Sequence, residues 1–181
     1  QETQKAKAQI LLTNDDGIYA PGLAALYHEI KALGEVQVVA PDVEQSAVGH
    51  AITLMTPLRV KEVCLDGGLT GFAVSGFPAD CVKIAMAELL PSPPDLVVSG
   101  LNAGPNLGLD TYYSGTVAGA REAAMRGVPG MAVSADVHAN LEQAAAVCAN
   151  LAFHLLAVLD GHPEALVLNV NVPARGSWAL R

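Results

Sequence analysis

Basic residues are scarce in this chain: 10 lysines and arginines stand against 18 aspartates and glutamates in 181 residues, a formal charge of −8. With a pI near 4.9, nucleic-acid duplexes and anionic membrane surfaces are excluded as partners, because both require a basic footprint. Charge of either sign is also sparse, at 15% against 51% apolar residues. That balance describes a compact chain with a sizeable core, expected as a single α/β domain over residues 1–181 with residues 1–8 as a polar leader. Cysteine is limited to Cys64, Cys81 and Cys148. The count is odd and no C-x-x-C spacing occurs, so neither a disulfide framework nor a zinc site is expected, and reduced thiols in a cytoplasmic protein are. No Gly-Lys-Ser/Thr phosphate loop, G-x-G-x-x-G turn, G-x-S-x-G elbow or H-E-x-x-H pair occurs, which removes support for ATP hydrolysis, dinucleotide redox chemistry, serine hydrolysis and zinc proteolysis. His28, His50, His138, His154 and His162 therefore read as surface or packing residues. The most apolar stretch, residues 144–159, is broken by Asn150 and His154 and is short for a membrane span, so a core helix is expected.

What is present is an alternation. Short continuous apolar runs at residues 9–13, 36–40, 95–99, 130–134 and 165–170 are separated by segments of helical period at 22–33, 79–90, 117–126 and 141–159. In the second of these, Val82, Ala85, Met86 and Leu89 fall on one helical stripe. Pro21 and Pro78 stand where helices tolerate proline, at their starts. Continuous apolar strands alternating with helices predict a three-layer, doubly wound, Rossmann-like sheet that is mostly parallel and covered on both faces. Residues 51–54, 58–63 and 70–74 break this rhythm and predict three further strands, the last two joined by a turn at Asp66-Gly67-Gly68. They make a small antiparallel excursion at one sheet edge.

Ligands of open parallel sheets bind beyond the carboxyl ends of the strands. After the first run comes Asn14-Asp15-Asp16-Gly17; after the second, Asp42-Val43-Glu44-Gln45-Ser46; after the third, a loop over residues 100–116 containing Asn102, Asn106, Ser114, Gly115 and Thr116. Asp15 and Asp16 could be turn or capping residues. However, Pro21-Gly22 rather than Asp-Gly opens the following helix, and two adjacent acids at a ligand rim call for a cation. Carboxylates joined by hydroxyl and amide oxygens form the donor set of a hard divalent ion such as Mg2+, Mn2+ or Ca2+. Ser46 and Asn102 are the neutral oxygen candidates, although each alone could be a loop residue. Ser114-Gly115-Thr116, ahead of a helix, reads as a phosphate cradle or as an ordinary helix cap. Arg121 and Arg126, on that helix, are expected to be solvated.

The blocks "ILLTNDDGIYAPGL", "VVAPDVEQSA", "PADCVKIA" and "SGLNAGPNLGLDTYYSGTVAGAREAA" resemble the SurE family of stationary-phase survival proteins, metal-dependent 5′- and 3′-nucleotidases. The resemblance runs from about residue 10 to residue 173. It implies one divalent cation held by Asp15, Asp16, Ser46 and Asn102. Asp15 and Asp16 are the catalytic candidates, one of them expected to accept the proton of the attacking water. It further implies that Asn14, Asn106, Ser114, Gly115 and Thr116 surround the substrate phosphate, and that the chain is a homodimer or homotetramer. The implied reaction is hydrolysis of nucleoside monophosphates by water. Val43, Ala47 and Phe77 stand where the family usually has arginine, glycine and threonine. The family's C-terminal extension is expected to be absent here, and the alternative function is a nucleotide- and metal-binding module that has lost activity with it.

Overall fold

The structure is a computed structural model that describes residues 7–65, 68–159 and 165–174. Seven strands form one sheet in the order β3-β4-β2-β1-β5-β6-β7. In chain order the elements are β1 (Ala8–Thr13), α1 (Pro21–Ile30), β2 (Gly34–Pro41), β3 (Val60–Cys64), β4 (Thr70–Val74), α2 (Pro78–Ile84, continued by a π turn Ala85–Leu89), β5 (Leu96–Ala103), α3 (Asp110–Tyr113), α4 (Gly115–Met125), β6 (Gly130–Ala135), α5 (Leu141–Val158) and β7 (Val167–Val172). Every pairing is parallel except β3 with β4. The expected doubly wound sheet with an antiparallel edge is therefore what forms.

The continuous apolar runs have a simple cause. Ile10, Leu12, Val38, Val98 and Met131 face the helices α1 and α5, sharing a cluster with Leu23, Leu26, Ile30, Ala145 and Cys148. Their neighbours Leu11, Val39 and Val97 point the other way, onto Cys81, Val82 and Ala85 of α2 and Ala123 of α4. Both faces are thus dry, and alternation has no polar side to show. Each fully buried leucine or isoleucine contributes roughly 1.5–3 kcal/mol relative to exposure.

Several expectations need correction. Residues 51–54 form no strand, because the Thr53 amide and hydroxyl are bonded to the Asp80 carboxylate rather than to a neighbouring strand. β5 runs on to Ala103, with a register shift between Ser99 and Asn102, so Asn102 lies on a bulged strand end and not in the loop beyond it. Such bulges re-aim side chains at sheet rims. α5 covers the sheet with one face only: Ala144, Ala145, Cys148, Ala149 and Ala152 are buried while Phe153 and Val158 are exposed. It is a covering helix rather than a wholly buried one, although by length and composition it is apolar enough to cross a membrane. The turn expected at Asp66-Gly67, residues 1–6 of the leader expected over 1–8, and His162 lie outside the described residues, while Ala8 already opens β1; Gly68 has the positive φ of a turn, +77°.

The chain winds outward from β1 in one direction to β2 and β4, and from β5 in the other to β6 and β7. The switch point falls between β1 and β5, and there the carboxyl ends leave a crevice.

Candidate functional site

Two segments meet at that crevice. The first follows β1. Asn14 and Asp15 are buried and Asp16 is half-buried. Asp15 accepts the Thr116 amide on Oδ2 at 3.0 Å and the Thr116 hydroxyl on Oδ1 at 2.5 Å. A carboxylate from β1 thereby caps the N-terminus of α4, where amides and the helix dipole both favour negative charge. Gly115 makes the approach feasible, since a Cβ there would stand 2.9 Å from Asp15 Cβ.

Burial pushes the Asp15 carboxyl above its ordinary range, with the Thr116 bonds opposing and Glu44 reinforcing the shift. Asp16 is pushed up to about 6, first by burial and next by the charge of Asp15, with the Ala103 amide opposing and Glu44 adding to it. The expected repulsion between adjacent acids is present, and a third carboxylate, Glu44, adds to it. Glu44, two positions before Ser46, is placed at the rim by the sequence but is given no role there.

The second segment is the bulged end of β5. Asn102 Nδ2 donates to the Gly104 carbonyl at 2.7 Å, and Asn14 Nδ2 donates to the Gly17 carbonyl at 2.8 Å. Each amide nitrogen is thus committed and each Oδ1 left over. Asn14 Oδ1 is buried with no partner among the described residues, an arrangement that leaves a polar group's desolvation uncompensated. Among the described residues no three or more histidines, cysteines or acids stand close enough together to hold a metal by themselves, so a cation here would need the neutral oxygens beside the acids. Two crowded acids beside underused oxygens fit a hard divalent ion. Ser46 sits on the exposed loop after β2, its hydroxyl donated to the Glu44 carboxylate. Its neighbour Gln45 donates its amide to the Asp15 carbonyl at 2.7 Å.

The rest of the expected phosphate set is placed less uniformly. Ser114 is the α4 cap, its hydroxyl oxygen accepting the Val117 amide at 3.1 Å. Asn106 is buried. Its Nδ2 donates to Ser134 Oγ at 2.9 Å, its amide donates to Asn171 Oδ1 at 2.7 Å, and its carbonyl accepts from Asn169 and Asn171 at 2.9 and 3.2 Å. Asn169 and Asn171 were not anticipated; two asparagines at alternate positions of an apolar strand were the available signal. Of the two arginines, Arg126 is exposed as expected, while also pairing with Glu122 at 2.8 Å. Arg121 is half-buried and donates to the Thr111 carbonyl at 3.2 Å.

The family model described as survival protein SurE matches residues 10–180. The chain belongs to the SurE family. It is 52% identical over 167 residues to the 5′-nucleotidase SurE of Syntrophobacter fumaroxidans, covering 91% of this chain and 66% of that protein. It is 50% identical over 169 residues to the 5′-nucleotidase SurE of Desulforudis audaxviator, with the same coverages of 91% and 66%. The crystal structure of the Sure protein from Aquifex aeolicus matches with a TM-score of 0.82 at 43% identity, covering 92% of this chain and 66% of that one. The chain thus spans about two thirds of the length of the SurE relatives it matches.

One local feature bears on stability. Ala47, at which the resemblance implied glycine, holds a positive φ of 54°, which costs an L-residue roughly 1–2 kcal/mol. Part of that is offset because alanine restricts the unfolded chain more than glycine does. Ala47→Gly is expected to stabilise the protein by about 0.5–1 kcal/mol, read as a higher urea midpoint at unchanged m-value. A lower midpoint would contradict the strain.

Proposed function

We propose that this SurE chain hydrolyses nucleoside 5′- and 3′-monophosphates to nucleoside and phosphate, as a phosphoric monoester hydrolase dependent on one divalent cation (Mg2+, Mn2+ or Ca2+). The observation that carries the reading is the pair Asp15–Asp16, crowded together at the β1/β5 switch point against the N-terminus of α4. Asp15, Asp16, Ser46 and Asn102 would hold the cation. Bound there, it supplies positive charge at the phosphoryl group and acidifies a water.

The protein's own groups divide the remaining work. Asp15, with both oxygens engaged by Thr116, is the anchor. Asp16 is half-buried and is the acid left to accept a proton. At the first turn of α4 the Thr116 and Val117 amides are taken by Asp15 and Ser114, so the Gly115 amide is the donor left for an anion. The Ser114 hydroxyl, accepting through its oxygen, still has its hydrogen to give. Asn106, braced by β7, and Asn14 complete the phosphate surround. In this way a chain of charge −8 accepts an anionic substrate, since the cation inverts the local field.

The relatives' names and the underused oxygens support the enzyme, and no observation favours the non-catalytic alternative. The same reading extends to a homodimer or homotetramer. It also extends to a cytoplasmic setting, which the free state of Cys64, Cys81 and Cys148 suits. Phosphate release from a panel of nucleoside monophosphates is expected to vanish in EDTA and return with Mg2+ or Mn2+. Turnover indifferent to the chelator would refute the proposal.

A further inference from the structure

The loop between β2 and β3, residues 42–59, carries Glu44 and Ser46 and is fastened to the body at successive points. Gln45 N–H donates to the Asp15 carbonyl, and Gly49 N–H donates to the Tyr113 carbonyl at 2.7 Å. His50 Nε2 lies 2.8 Å from Glu122 Oε2, and Thr53 is bonded to Asp80. The His50–Glu122 contact is the one that helix stability leaves unexplained. Glu122 is on α4 and its side chain is only 8% exposed. A buried carboxylate needs a partner, and Arg126, one turn away, already supplies one to Oε1 at 2.8 Å. The second oxygen nevertheless reaches a residue 72 positions distant in sequence.

Rigid geometry gives this a purpose. The first turn of α4 holds Asp15 through Thr116, and Glu122 lies six residues further on, about 9 Å along the axis at 1.5 Å per residue. One helix therefore grips both the segment bearing Asp15 and the loop bearing Ser46. We infer that Glu122, acting through His50, is a positioning residue that sets the Ser46 loop against the acids of the rim. The inference rests on the cation-binding reading proposed above.

Mn2+ binding, followed by the loss of the free-ion electron paramagnetic resonance signal, tests it on the metal alone. Glu122→Gln keeps the shape of the side chain, and His50→Gln changes a residue on the loop itself, so a folded variant is at hand from either side. Each is expected to weaken Mn2+ binding about tenfold, the low end of what outer partners of metal ligands cost. The double variant should be no weaker than either single one. Saturating Mn2+ should restore much of the hydrolysis rate at a temperature where each variant is fully folded in EDTA by circular dichroism, so that the rescue reports the cation site and not the stabilisation that bound metal gives any folded protein. Folded single variants that bind Mn2+ as tightly as the parent would overturn the inference, and so would losses that add in the double variant. A parent that binds no Mn2+ would instead bring down the cation site itself, and the inference with it.

Discussion

Asp16→Asn is expected to cut nucleotide hydrolysis by roughly a hundred- to a thousandfold while leaving a folded protein. The magnitude is what one positioned electrostatic contribution at a reacting group is worth, about 2.7–4 kcal/mol. The variant loses a carboxylate that would both ligate the cation and accept a proton, and the amide that replaces it can do neither as well.

Stability should move the other way. In the parent without metal, the folded-state carboxyl titrates at about 6 against an ordinary value of 3.8. The folded state thus binds the proton more tightly than the unfolded one. For a raised acid the sign is unfavourable: stability falls as pH rises through the interval from about 3.8 to about 6. Asparagine has no such proton to lose. Thermal melts in EDTA at pH 7 should therefore show Asp16→Asn at or above the parent, and added Mn2+ should raise the parent more. Hydrolysis by Asp16→Asn at the parental rate would remove Asp16 from the chemistry. A variant melting well below the parent in EDTA would show that the repulsion is not relieved.

Asp80→Ala should be the most damaging single change to the fold, costing about 3–5 kcal/mol, given roughly 1.5–3 kcal/mol for hydrogen bonds to a charged group. Asp80 is 1% exposed. Its carboxylate accepts the Thr53 amide at 3.0 and 3.1 Å, the Thr53 hydroxyl at 2.7 Å and the Phe77 amide at 3.0 Å. The Phe77 bond caps α2 from its own third residue. It matters more here because phenylalanine, unlike threonine, has no side-chain oxygen with which to cap in return. Removing the carboxylate strands three donors at once and frees the loop of residues 42–59 at its far end. Since small domains are stable by only about 5–15 kcal/mol, the urea midpoint should fall steeply. Asp80→Asn should fall part of the way, because an amide can still accept on one oxygen but turns donors toward donors on the other. An Asp80→Ala midpoint close to the parent's would mean that these bonds form equally well with water.

The layering of the fold was readable because its cause is local. Leu11 and Leu12 enter opposite layers, so burial on both faces writes itself into consecutive residues. The gathering of Asp15, Asp16 and Asn102 at one rim was readable for a related reason: they follow apolar runs, and parallel strands bring those ends together. Residues 51–54 misled because they have strand-like composition while their hydrogen bonds go to a side chain on α2. Glu122 drew no attention because an acid on a helix usually faces water, whereas here it is buried against His50 of the loop.

By itself the sequence determined the mostly parallel, doubly covered sheet, its antiparallel edge and the oxygen-only character of the rim. All of these follow from residue type and short-range periodicity. Only the tertiary structure decided that Asp15 caps α4 through Thr116, that Asn106 is braced from β7, and that Glu122 reaches His50. Those choices belong to buried polar groups, which must find partners wherever the folded chain supplies them. Distance along the sequence carries no information about which partner that will be.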